Sequence, residues 1–221
     1  MSEIKQIFID LDGPLLDGKR RHYFCYRTIL EKSGFEPIGL NAYWKKKRAK
    51  GNRMDLLKMS GAEEMYNDFL ATWLALIESP EALALDEVQV GAVDCLSAWQ
   101  AQGVDLILVT MRKNKPGLEA QLERLGLWPL LNAVLVCDYA DGGIGKADAV
   151  RKIDSTHDVG RALWIGDTEA DWEAAQSLGC GLVLLANGLR NMEYLMSLSG
   201  AVVQPSIASL KNWVSERINV N

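Results

Sequence analysis

From about residue 90 onward the chain alternates at short intervals between apolar runs of strand length and segments with helical spacing, and no other feature limits its fold so tightly. Strand-like runs at residues 104–110, 133–137, 162–166 and 181–185 are almost continuously apolar, and a weaker run follows at 201–203. Helices are expected over residues 90–102, 117–125, 146–153, 169–178 and 207–218. A strand that is apolar at nearly every position has both faces covered, and strands separated by helices are joined by crossovers; a mostly parallel sheet with helices on either side meets both conditions. The run at residues 4–10, with Ile4, Ile7, Phe8 and Ile9 ahead of an Asp-Leu-Asp-Gly-Pro turn, is expected in the same sheet, because a lone strand would leave both edges unpaired.

The stretch between that first strand and the alternating half behaves differently. Tyr23, Tyr26 and Leu30, then Met65, Phe69, Trp73 and Leu76, recur at three- and four-residue steps, and no strand is expected between residues 18 and 85. The fold class is therefore α/β: a doubly wound, Rossmann-like parallel sheet, residues 1–16 and 87–221, with a small all-helical domain, residues 17–86, inserted after the first strand.

Charge and composition narrow the function. The net charge of −5 argues against general nucleic-acid binding, which draws most of its attraction from a basic surface. No apolar run approaches the roughly 20 residues that span a bilayer, and no secretory signal is read at the start, so a cytoplasmic protein without a membrane partner is expected. Cys25, Cys95, Cys137 and Cys180 are widely spaced among apolar neighbours and read as reduced, buried thiols. With only His22 and His157, a histidine metal cluster or a Ser-His-Asp triad has little to be built from. Lys45, Lys46, Lys47, Arg48, Lys50 and Arg53 put six positive charges within nine residues, either a solvated helix face or a device for attracting an anionic substrate.

In an open parallel sheet the ligand crevice lies beyond the carboxyl ends of the strands. The first strand ends in Asp10-Leu11-Asp12-Gly13, the second in Val109-Thr110 and a later one in Gly166-Asp167-Thr168-Glu169-Ala170-Asp171, while Gly145-Lys146 stands in the loop before another helix. Each has an ordinary explanation: Asp-x-Asp-Gly is a common turn, Thr110 a β-branched strand residue, Lys146 a solvated lysine, Thr168 with Asp171 a capping box. Taken together they collect carboxylates, a lysine and a hydroxyl at one sheet edge, where the carboxylates would repel one another without a hard cation such as Mg2+, and where free N–H groups at helix starts suit a phosphate.

In these motifs the chain resembles the haloacid dehalogenase superfamily, in its phosphatase branch with a helical cap, phosphoglycolate phosphatase-like. Asp10-Leu-Asp-Gly-Pro-Leu-Leu-Asp17, the strand ending in Thr110, Lys146 and Gly166-Asp167-Thr-Glu-Ala-Asp171 match the four family motifs in order, and the likeness spans essentially the whole chain, cap included. Many members carry Thr where this chain has Pro14, which withholds one N–H from the turn. The resemblance implies a Mg2+-dependent phosphatase acting on a small phosphorylated metabolite. Asp10 would be the nucleophile and Asp12 the general acid and base; Thr110, Met111 and Lys146 would bind the phosphate; the Asp10 carboxylate, the Asp12 carbonyl and Asp167 would hold the metal, with Asp171 in support. Arg20, Arg21, Asn52 and the basic run at 45–53 are candidate substrate readers on the cap. The alternatives are a phosphosugar mutase of the same superfamily and a non-catalytic binding protein on the same fold; a phospho-receiver domain has its phosphorylated strand in a different place.

Overall fold

The protein is described by a computed structural model covering residues 3–153 and 159–218, so His157 lies outside the described residues. Strand β1 (Gln6–Ile9) leads through a tight turn into a two-residue strand, β2 (Leu16–Asp17). Five helices follow: α1 (Lys19–Lys32), α2 (Leu40–Arg48), α3 (Arg53–Lys58), α4 (Tyr66–Leu76) and α5 (Pro80–Leu83). The chain returns as β3 (Glu87–Val88), antiparallel to β2 with Leu16 opposite Val88, so a two-stranded ribbon ties the start of the helical insertion to its end.

Strands and helices then alternate as α6 (Ala92–Ala101), β4 (Asp105–Thr110), α7 (Lys115–Arg124), β5 (Ala133–Val136), α8 (Gly142–Ile153), β6 (Ala162–Gly166), α9 (Glu169–Leu178) and β7 (Gly181–Leu185), ending with α10 (Met192–Met196), β8 (Val202–Gln204) and α11 (Lys211–Ile218). The sheet order is β5-β4-β1-β6-β7-β8, with every neighbouring pair parallel. After β1 the chain builds outward through β4 and β5, then crosses back to build the other way through β6, β7 and β8. Strand order therefore reverses at β1, and the ends of β4, β1 and β6 open on one crevice, as expected at a topological switch point. With Ile9 level with Leu108 and Ile165, the residues just beyond these strands share that crevice.

The two-residue period of the strands sorts their side chains into two cores. Ile7, Ile9, Leu106, Leu108, Leu163 and Ile165 pack with Leu96 and Trp99 of α6, Leu122 of α7 and Val214 of α11. Phe8, Ile107, Val109 and Trp164 point the other way, onto Ala147 and Val150 of α8 and Ala174 and Ala175 of α9. The helical insertion has its own core around Tyr26, Leu30, Tyr43, Leu57 and Phe69. Among the described residues no helix is long and apolar enough to cross a membrane. The four cysteines are free, three of them buried and Cys180 half-buried.

The structure corrects the placement of Lys146. Gly145-Lys146 reads as the loop before a helix, yet α8 begins at Gly142 and carries Lys146 inside it. Gly143 serves packing: a Cβ there would collide with the Ala170 carbonyl and Glu173 Cβ of α9. Gly143→Ala is accordingly expected to destabilise the protein by about 1–3 kcal/mol, because overpacking against backbone outweighs the roughly 1 kcal/mol helix-propensity gain. Urea unfolding would check the sign. The β2–β3 ribbon and α10 were too short for periodicity to reveal, and the expected helix at 207–218 divides into a 3-10 turn over Ile207–Leu210 and α11.

Candidate active site

Asp10 stands directly beyond β1, its N–H bonded to the Ile165 carbonyl of β6 at 3.0 Å. Asp167 follows β6, and Asp171 lies in the first turn of α9. One carboxylate oxygen from each of the three lies within 4.8 Å of the others, and all three residues are buried. Asp167 Oδ2 accepts the Leu189 N–H, while its buried Oδ1 has no partner among the described residues. A Cβ on Gly13 or on Gly188 would strike this carboxylate, and Gly13 has φ of 109°, so backbone closes around Asp167 from two sides.

Burial, and then the charges of Asp171 and Asp10, push the Asp167 carboxyl well above its usual range. Burial likewise pushes Asp10 up to about 7, against the pull of Lys146. A desolvated, oxygen-only donor set with an orphaned carboxylate oxygen fits a hard divalent cation, whose charge would offset the repulsion.

Asp171 is less a free ligand than a brace. Its Oδ1 accepts from Lys146 Nζ at 2.7 Å and Trp164 Nε1 at 3.2 Å; its Oδ2 accepts from the N–H groups of Asp167 and Thr168 and from the Thr168 hydroxyl. The capping-box arrangement expected of Thr168 and Asp171 and a place beside the acidic cluster thus coexist. Lys146 Nζ also lies 3.1 Å from Asp10 Oδ1 and is nearly inaccessible. Burial disfavours its charge, but Asp10 and Asp171 overcome that and raise its pKa. Thr110 is buried at the end of β4, its Oγ1 accepting the Arg112 N–H at 3.4 Å. Met111 is half-buried next to it and has no polar side-chain atom, so only its backbone could hold a phosphate.

Asp12 enters an ionic network that sequence reading missed. Arg112 grips it in bidentate fashion, Nε to Oδ2 at 2.7 Å and Nη2 to Oδ1 at 2.8 Å, and Arg21 of α1 pairs with Oδ1. Both arginines also pair with buried Asp86, at 2.8 and 3.2 Å. Burial works against ionisation, yet Arg112 and Arg21 hold Asp12 well below the usual carboxylate range. Arg112 carried one legible signal, its place two residues past Thr110 at the same sheet edge. Asp86 carried none.

Most candidate substrate readers have structural employment. Arg20 pairs with Glu87, Asn52 caps α3 by accepting from the Asp55 N–H, Lys46 pairs with Asp55, and Arg53 donates to the Tyr66 carbonyl. Arg48 donates to the carbonyls of Ala186 and Arg190, and Lys50 pairs with Glu169 at 2.8 Å, so these two dock the helical insertion onto the crevice rim.

Similarity to known proteins gives the fold and the family. A phosphoglycolate phosphatase of Rhodobacter capsulatus is 24% identical over 187 residues, covering 83% of this chain and 85% of the relative. A crystal structure of a predicted phosphatase from Clostridium acetobutylicum superposes with a TM-score of 0.75 at 21% identity, covering 97% of this chain and all of that one. A Thermotoga maritima protein with the suggested identity of a β-phosphoglucomutase gives 0.69 at 17% identity, over 96% and 99% of the two chains. These likenesses fix the fold, and residues 4–179 match the hydrolase family described as haloacid dehalogenase-like. With its acidic crevice at the switch point and a family match across most of its length, the chain belongs to the haloacid dehalogenase-like hydrolases.

Proposed function

We propose that the protein is a Mg2+-dependent phosphatase that hydrolyses a small phosphorylated metabolite through an aspartyl-phosphate on Asp10. The observation that carries this reading is the buried trio Asp10, Asp167 and Asp171 with Lys146 between two of its members. The name of the Rhodobacter relative supports a small ester as substrate.

An Asp10 carboxylate oxygen attacks phosphorus as the bond to the ester oxygen breaks, and the departing oxygen takes up a proton. Water then attacks the aspartyl-phosphate, gives up its proton, and orthophosphate leaves as Asp10 is regenerated. Asp12 is the group for both proton transfers. Its arginine pairs favour the ionised form, which suits the proton-accepting second step; donation in the first step requires those pairs to loosen around a protonated carboxyl. Lys146 and Thr110, with the Met111 N–H, hold the non-bridging oxygens, and the Lys146 charge stabilises the transition state. Asp10, Asp167 and the Asp12 carbonyl would hold Mg2+, with Asp171 in support, and the bound ion supplies neutralisation of charge between an anionic nucleophile and an anionic phosphate. Residues 17–86 act as a cap that excludes water during the first transfer. Four unpaired thiols suit a cytoplasmic setting.

Purified protein with Mg2+ is expected to release phosphate from p-nitrophenyl phosphate, and stripping divalent ions with a chelator should reduce the rate by at least about 100-fold, with Mg2+ restoring it. Full activity in the chelated protein would overturn the reading. A panel of phosphorylated metabolites then ranks substrates by kcat/KM.

A further inference from the structure

Arg48, the last residue of α2, reaches out of the helical insertion and grips one short segment of the core at both ends. Its Nη2 donates to the Ala186 carbonyl and, at 3.4 Å, to the Arg190 carbonyl. Its own carbonyl, free at the end of the helix, accepts the Asn191 N–H at 2.9 Å. A planar guanidinium suits this bridging, because it aims its donors in fixed directions. Lys50 adds a second hold. Its Nζ lies 2.8 Å from both Glu169 Oε1 and the Tyr194 hydroxyl, and Arg190 grips the same Glu169 through Nε and Nη2, each at 2.8 Å. Lys50 has φ of 57°, the only positive value outside glycine among the described residues. A side chain rarely stays in that region unless its surroundings hold it there.

The same segment touches the acidic trio. Leu189 donates its N–H to Asp167 Oδ2, and a Cβ on Gly188 would strike that oxygen. With Oδ2 engaged, Oδ1, buried and without a partner among the described residues, is the oxygen left for a cation. Ala186 is tied to the sheet by its N–H, 2.8 Å from the Gln204 carbonyl of β8. Residues 187–189 are thus strung between a fixed sheet end and the insertion, with Asp167 leaning on the middle.

We propose that Arg48 is a positioning residue for Asp167: docking of the helical insertion, through residues 186–190, sets this carboxylate for a divalent cation, so that docking and cation binding strengthen each other. The inference rests on the reading of Asp167 as a metal ligand. Such coupling is reciprocal, so the loaded protein keeps its crevice covered and the cation-free protein opens more readily. Glu78 provides the comparison, because it fastens the insertion elsewhere, accepting the N–H groups of Lys113 and Asn114 just ahead of α7.

Titration calorimetry of the chelator-stripped full-length protein with MgCl2 reads the dissociation constant without any substrate. Arg48→Met is expected to weaken Mg2+ binding roughly 10-fold, within the usual range for coupled sites, and Arg48→Lys should recover part of the loss. Glu78→Gln should leave the constant within about twofold, since its contact does not reach residues 186–190. Amide hydrogen exchange on the wild-type protein supplies the reciprocal arm. Saturating Mg2+ should slow the Asn191 amide, whose acceptor is the Arg48 carbonyl, by a factor similar to the Arg48→Met loss, and slow the Lys113 amide less. Equal Mg2+ affinity in wild type and Arg48→Met overturns the linkage and leaves the phosphatase reading standing, and so does an equal loss in Arg48→Met and Glu78→Gln. Equal slowing at Asn191 and Lys113 does the same, and it decides the matter alone should Arg48→Met fail to fold. A wild-type protein that takes up no Mg2+ rejects the metal reading and the linkage with it.

Discussion

Asp10→Asn is expected to lower turnover of any phosphate ester by about 10⁴-fold or more while the protein stays folded. The amide is nearly isosteric with the carboxylate and can keep its oxygen as acceptor for the Leu11 N–H, 2.9 Å away, and for Lys146. It is a poor nucleophile, however, and carries no charge for a divalent cation. Stability should hold or rise slightly, because a neutral group replaces a buried charge beside two other aspartates. Single-turnover assays with acid quenching would show no phosphorylated protein, and thermal melting would show the fold retained. Unimpaired hydrolysis by this variant would remove Asp10 from the chemistry.

Lys146→Met is expected to hurt stability as well as rate. Its Nζ is held 3.1 Å from Asp10 and 2.7 Å from Asp171 in a site closed to solvent, so deletion of the charge leaves two buried carboxylates facing each other. Breaking a buried pair from one side costs about 3–5 kcal/mol, readable as a lower urea midpoint at unchanged slope. Loss of the group assigned to the phosphate oxygens should cut kcat by roughly 10²–10³-fold. The two variants thus separate: Asp10→Asn is inactive and stable, Lys146→Met weakly active and unstable. A Lys146→Met protein as stable as wild type would show that Asp171 does not depend on this lysine.

Much of the architecture was legible because parallel α/β folds write themselves into the chain at two periods. The strands at 162–166 and 181–185 and the helix at 169–178 lie where their apolar patterns put them, and the first strand joins the same sheet. Asp10, Thr110 and Asp167 could be picked out because each directly follows an apolar run, and such positions open on the crevice. Lys146 was singled out as a residue but misplaced, since glycines that permit close helix packing look the same in sequence as glycines that break a helix.

The ionic partners were not legible. Asp12 meets Arg21 across 9 positions but Arg112 across 100, and Asp86 joins them from the far end of the helical insertion. Nothing in the basic run distinguished Lys47, which turns inward onto Trp73, from Lys46, which pairs at the surface.

The sequence by itself determined the alternation of the main sheet's strands with its longer helices and which residues cap the strand ends, because side-chain periodicity is a local property that burial enforces residue by residue. Only the tertiary structure decided which charge neutralises which. Coulomb energy depends on distance and desolvation, and both exist only once segments far apart in the chain have packed together.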